Sequence, residues 1–356
     1  MAGRWVTAGA RAYEIIDDRI DVFQALIIGS VIDEATGTAP QSFTVRADDP
    51  SLLPSAHLGG AFCLAGDPDV ALADHSVPHP VTITIDAEGF REQVLSVTVP
   101  INPSFPITVP TVALRRNPNR IQGRTVALDT GNLIAGAAIV MLDTTPLPPP
   151  RHAVLFDTPL WRDHAAAISA QGQALTPVAS PVPIKTVTAD ADAGASTLIL
   201  DDRQGLGPGQ VLRIGAAGAY GFAEIATLAA QPGGVTLASP LMRSARSNDA
   251  AAPFALGALM GPAAKFVDTG FAGEGIVMLD AVPAGDVIVI TDPAGVREYH
   301  NLGAITNAEG YYALDGITRL AALPLQASAA AFITAKTNWS VDWSRTPNLL
   351  DWRLHP

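Results

Sequence analysis

Seven histidines, one cysteine and a few paired aspartates are the residues of this 356-residue chain with most scope for chemistry, and their spacing limits what they can do. His57, His75, His79, His152, His164, His300 and His355 are scattered. Only His75 and His79 are near neighbours, and Pro78 and Pro80 beside them mark a loop. Two imidazoles that close could share a metal ion, but a solvated loop pair is the plainer reading. Asp190 and Asp192, followed by Gly194, begin like a calcium loop of oxygen ligands, without the third acidic position and the bidentate glutamate that fix such sites. Asp201 and Asp202 are a carboxylate pair of the kind glycosidases use. Neighbours along a strand point to opposite faces and cannot flank one bond, so these two read as turn residues.

The sequence contains no zinc-peptidase motif (H-E-x-x-H or H-x-x-E), no G-x-S-x-G nucleophile elbow and no phosphate-binding G-x-x-x-x-G-K-[ST] loop. Gly205, Gly207 and Gly209 lack the spacing of a dinucleotide fold, and Pro208 marks them as a turn. Cys63 stands alone, which excludes an intramolecular disulfide and suits a small core residue. The expectation is a protein with no catalytic, cofactor-binding or metal-binding residues, and not an enzyme.

Contact chemistry remains. Trp339, Trp343 and Trp352, with Tyr299, Tyr311 and Tyr312, concentrate aromatic side chains in the last sixty or so residues. Exposed, they would form a sugar platform or a protein interface; buried, they are core. Trp339, Trp343, Trp352 and Tyr299 are the candidate interaction surface.

The elements that position these groups follow from composition. With 29 prolines and 31 glycines dispersed along the chain, many short strands joined by tight turns are expected. The length implies two or three domains. A net charge of -12, with lysine only at Lys185, Lys265 and Lys336, argues against nucleic-acid binding. The N-terminus lacks the apolar core of a signal peptide, and no stretch has the roughly 20 apolar residues of a membrane span. No membrane insertion and a cytoplasmic chain before assembly are expected.

Residues 1–25 read as an N-terminal arm, or equally as an edge strand or short helix of the first domain. From Leu26 a strand runs into an acidic turn; Val81, Ile83 and Ile85 share one face of a second strand, and Gln93 to Pro100 alternates again. A closing strand at Ile107 to Leu114 and a polar linker from Arg115 to Asn119 put a boundary near 117. Ile121 to Leu142 then repeats the first opening, with Gly123 and Thr130-Gly131 in place of Gly29 and Thr36-Gly37.

This grammar, Ile-x-Gly followed by an acidic residue and Thr-Gly, resembles the carboxypeptidase regulatory-like or transthyretin-like β-sandwich. Asn307 to Leu314 is similar to the turn-strand signature of that family, and Gly59 to Gly66 looks like its counterpart in the first copy. The resemblance implies tandem antiparallel β-sandwiches of Ig-like or transthyretin-like type: 26–116, and a discontinuous second made of 117–150 and 296–356, closed by a strand near Asn348 to Leu354. The gap between them is too long for a sandwich loop. An insertion at 151–295 follows, entered through Leu147 to Pro150. Within it, Ala-rich Trp161 to Gln171 is the one short helix expected, and 184–256 resembles small β-barrel-like modules of phage-tail and other bacterial structural proteins. The function implied is a structural or interaction subunit of a multi-protein assembly, a phage-tail or contractile-injection-like particle, with other protein subunits or further copies of itself as partners. A carbohydrate-binding or adhesion module protein is the alternative.

Overall fold

The computed structural model describes residues 4–8, 11–16, 19–67, 72, 76–142, 151–178, 182–215 and 220–356, with side chains from residue 24 onward. Among them every regular element is a β-strand, in agreement with a mainly β chain. Two compact units result: residues 1–117 with 319–321, and residues 118–318 with 322–356.

The first unit is organised on the strand Arg19–Asp33. Arg11–Ile16 and Ala61–Gly66 pair with it antiparallel, while Ile107–Thr108 and Val112–Leu114 lie parallel to it. Arg4–Ala8 extends this sheet by pairing with Arg11–Ile16, so the described part of the N-terminal arm is strand. A second sheet holds Thr44–Ala47, His79–Asp86 and Gln93–Val99. Val81, Ile83 and Ile85 are fully buried on one side of it, against a core that includes Leu26, Ile27, Phe62 and Leu64. Alternation of apolar and polar residues therefore sets which face is buried.

In the second unit Asn119–Ala127 takes the part of the opening strand. It pairs antiparallel with Tyr311–Ile317 and parallel with Asn348–Leu349 and Trp352–Leu354. The repetition extends to single hydrogen bonds. Val31 N–H donates to Gly60 O (2.8 Å) as Thr125 N–H donates to Gly310 O (2.9 Å). Glu34 N–H donates to Leu114 O as Leu128 N–H donates to Leu354 O, both at 2.9 Å. The two early glycines sit in strand interiors, where something comes too close for a side chain. A Cβ on Gly29 would lie 2.4 Å from the Phe62 ring, and one on Gly123 would lie 1.9 Å from the Leu350 carbonyl oxygen. The other sheet of this repeat runs Ala304–Ile305, Ala138–Met141, Ala322–Ser328, Ala335–Ser340.

Residues 151–178 and 182–300 lie in sequence between these pieces. His152–Leu155 pairs with Ile276–Leu279, and a nine-stranded sheet includes Ser169–Pro177, Ala250–Lys265, Val287–Thr291 and Arg297–His300. Three clusters of buried side chains fill this segment: Val187, Leu198, Leu212 and Ile225 belong to one, Val154, Phe156, Phe266 and Ile288 to a second, and Val211, Phe222, Val287 and Val289 to a third. The strands between Lys185 and Leu237 are continuous with the nine-stranded sheet, in which the 16-residue strand Ala250–Lys265 pairs with both Val211–Ile214 and Ser169–Pro177. A single bridge between Val187 and Leu200 ties the two ends of that group.

The helix expected over Trp161 to Gln171 is absent. His164 N–H donates to Gly270 O (2.7 Å) and Ala167 N–H to Phe266 O (2.8 Å), so amides that a helix would use internally are taken by distant strands. Ala167 also has φ +70°, and Ser169 already begins a strand. Tertiary pairing here overrides the alanine propensity. The expected stiff lead-in at Leu147 to Pro150 lies outside the described residues.

Gly123→Ala should destabilise the second unit by roughly 3 kcal/mol or more, since backbone must move to admit the methyl. Gly131→Ala, with open space but φ +70°, should cost only about 1 kcal/mol. Denaturant unfolding of the two variants checks the order.

Candidate functional site

A dense group of ionisable side chains in the second unit is centred on Glu298, in the strand Arg297–His300. Glu298 and His300 are two apart and share the inward face, while Tyr299 points the other way into a cluster with Val211, Phe222 and Val289. Burying a carboxylate is costly unless donors surround it. Four do. His164 Nε2 (3.1 Å) and Arg162 Nε (3.2 Å) reach Oε1; the Trp161 backbone N–H (3.1 Å) and His300 Nε2 (3.3 Å) reach Oε2. Burial alone would raise the Glu298 pKa, but the hydrogen bonds from His164 and His300 outweigh it and hold the group at about 2. Arg162 carries on to Asp292 (2.8 Å), and Phe156 stacks on His300 at 4.7 Å between ring centroids.

His300 has a second contact, from Nδ1 to the Thr158 hydroxyl at 3.0 Å. Thr158, His300 and Glu298 thus form a hydroxyl–imidazole–carboxylate chain, the order used in nucleophilic catalysis. All three are buried. Thr158 reaches the wall of a cleft of about 280 Å³ that Arg120, Asp157, Arg243, Asn307 and Tyr311 also line. Asp157 is committed within that wall: it accepts from the Asn301 backbone and side-chain N–H groups (2.8 and 2.9 Å) and lies 3.5 Å from Arg243. What the arrangement does is fix the 157–164 segment to the strand that ends at His300.

The residues singled out in the sequence are distributed otherwise. Trp352 and Tyr299 are buried: the Trp352 indole N–H donates to the Tyr312 hydroxyl (3.1 Å), and the Tyr299 hydroxyl donates to Glu224 (2.6 Å). Burial lifts both phenols, Tyr299 and Tyr312, above their ordinary pKa. Trp339 and Trp343 are half-buried, so the four do not form one exposed platform. His79 is partly exposed with Asp49 at 3.9 Å, and His75 lies outside the described residues. Asp190 and Asp192 face Arg246 at 3.7 and 3.1 Å, an ion-pair arrangement in place of a cation site. Asp201 caps its turn by accepting from the Thr186 and Asp202 amides, and Asp202 pairs with the buried Lys185, which lowers its pKa. No cluster of three or more His, Cys, Asp or Glu suited to a metal occurs among the described residues. Cys63 is half-buried, and burial raises its pKa.

Neither a family model nor a curated protein matches the chain. Among solved structures it is similar to BcpA, the major pilin subunit of Bacillus cereus, at 8% identity over 94% of this chain and 99% of that one, with a TM-score of 0.19. The Bacillus anthracis TIE protein is similar at 6% identity over 99% of this chain and 58% of that one, with a TM-score of 0.21. At these TM-scores the likeness assigns no function. The carboxypeptidase regulatory-like resemblance rests on the repeated strand-and-turn grammar alone.

Glu298→Gln should destabilise the protein by roughly 3 kcal/mol, because a carboxylate held by two imidazoles and a guanidinium is lost from a buried position. Since the folded pKa lies below the unfolded value, the contribution of Glu298 is complete above about pH 4.5 and is lost as pH falls toward about 2. Urea titrations of both proteins across that range should converge at the acid end. A constant difference would refute the assignment.

Proposed function

We propose that this chain is a non-catalytic structural and interaction protein that works through contacts with other protein subunits. The observation that carries this reading is the use made of Glu298. Its four donors, three of them from the 161–164 segment, bind a long intervening segment firmly to the strand pairs on which it is built. A carboxylate held that low in pKa is poorly tuned to raise the basicity of His300, so the Thr158 chain supports fixation better than turnover. A repeated β scaffold bearing a large, internally cored segment suits the presentation of a fixed surface to a partner.

Within this reading, a subunit of a particle of the phage-tail or contractile-injection type is one setting. Adhesion or carbohydrate contact is the other, with the outer strand Ala335–Ser340, where Trp339 is half-buried, as its place. A small β-barrel-like character for 184–256 belongs with the particle setting.

Native mass spectrometry and electron microscopy of the purified chain, alone and with the products of its neighbouring genes, should give a complex of defined stoichiometry. Turnover of ester or glycoside substrates that is abolished by Thr158→Val would overturn the reading.

A further inference from the structure

In the cleft beside Thr158 strong hydrogen-bond donors are left without acceptors of matching strength. Arg120 and Arg243 both line it. Elsewhere in this acidic chain guanidinium groups meet carboxylates closely, Arg116 with Asp33 at 2.6 Å and Arg162 with Asp292 at 2.8 Å. Neither cleft arginine does. The short contact of Arg243 is to a neutral acceptor, the Asp157 backbone carbonyl (2.7 Å), while the Asp157 carboxylate stands off at 3.5 Å. That carboxylate is already met by the two N–H groups of Asn301. Arg120 lies 3.4 Å from Asp315, and their side chains are 44% and 41% exposed, where an ion pair contributes little. Asn307 adds a third donor. Its Oδ1 accepts from the Glu309 and Tyr311 amides (3.1 and 2.9 Å), which fixes the orientation of the side-chain amide and leaves Nδ2 without a partner among the described residues.

We infer that this cleft binds a carboxylate-bearing sugar ring, a uronic or sialic acid. The inference rests on the non-catalytic reading above and gives it a ligand. A guanidinium takes a carboxylate through two parallel N–H groups, so two arginines and one amide supply donors for both oxygens of a ligand carboxylate. Size selects a sugar over a bare acid. A volume of about 280 Å³ is at the small end for a ligand pocket, and a carboxylate alone, free or on an aspartate or glutamate of a partner protein, leaves most of it empty. The rest of the wall is mixed. Tyr311, Met242 and Ile305 supply apolar surface, and the Tyr311 ring is anchored by its hydroxyl, which donates to Gln122 (2.7 Å). Such a wall suits a ring with an apolar face and a rim of hydroxyls. Repulsion from a chain of net charge -12 acts on the approach of an anion and is screened by salt, whereas contacts inside the cleft are screened much less.

Saturation-transfer NMR and isothermal titration calorimetry on the full chain, with glucuronate and N-acetylneuraminate as probes and glucose as the neutral control, test this directly. One or both acids should bind, and glucose should not. Arg243→Gln and Arg120→Gln should each weaken binding at least about tenfold, the loss expected when one charged donor to a ligand carboxylate is removed. Arg46→Gln, on an exposed surface of the other unit, should leave binding unchanged. Near-ultraviolet circular dichroism separates loss of the site from loss of the fold, and the exposed position of Arg120 makes its variant decisive should Arg243→Gln unfold. No binding of either acid at about 10 mM, or binding that neither substitution changes, would overturn the inference. So would equal binding of the peptide acetyl-Glu-Glu-Glu-amide, which would assign the cleft to an acidic protein partner. Each of these results leaves the non-catalytic reading standing, whereas hydrolysis of a glucuronide that is lost in Thr158→Val would remove that reading and leave the binding site.

Discussion

In each repeat the closing strand returns to lie parallel beside the opening strand, and the rest of the architecture depends on that closure. Val112–Leu114 sits against Val31 to Asp33, and Trp352–Leu354 against Thr125 to Ala127. In the second unit the two strands are separated by more than two hundred residues, yet their register reproduces that of the first. The entropy of closing a loop rises only slowly with its length, so a fold locked by its first and last strands accommodates a long segment between them. Gly123 is where this closure is tightest. The chain at Leu350 passes so near that only a hydrogen atom fits in place of a side chain.

The segment between is held by a different force. Glu298 is carried into an apolar core by the alternation of its strand, and a buried carboxylate has to be met by donors. Three of its four donors come from Trp161, Arg162 and His164, and the fourth is His300 on its own strand. Ion-pair geometry at Arg162, which also reaches Asp292, and the Gly270 contact of His164 draw this stretch out across neighbouring strands. One electrostatic requirement therefore explains both the polar cluster and the missing helix. Local alanine content favours a helix by tenths of a kcal/mol per residue, far less than the cost of leaving a charge unmet.

What was legible in the sequence was periodic or punctuated. Val81, Ile83 and Ile85 announce their buried face by alternation, and Thr36-Gly37 and Thr130-Gly131 announce equivalent turns, with φ +71° and +70° at the glycines. Long-range chemistry was less visible. His164 and His300 look scattered because the contact that unites them runs through Glu298, and Thr158 carries no motif. A signal existed: a glutamate and a histidine two apart, just after the apolar run Val287 to Ile290, place two polar groups on one inward face. The aromatic residues near the C-terminus were misleading for the opposite reason. Proximity in sequence groups Trp352 with Trp339, whereas the alternation of each strand buries the first and leaves the second at the margin.

Parallel closure also has a mechanical side. Tension applied where a unit's opening strand begins and where its closing strand ends pulls the two past one another lengthwise, so the rungs between them are loaded together and not peeled one at a time. Resistance to such tension is set by the height of the unfolding barrier and not by equilibrium stability. Both units have this arrangement, Arg19–Asp33 with Val112–Leu114 and Asn119–Ala127 with Trp352–Leu354. Each unit therefore meets tension along the chain in shear, with all the rungs of its closing pair sharing the force.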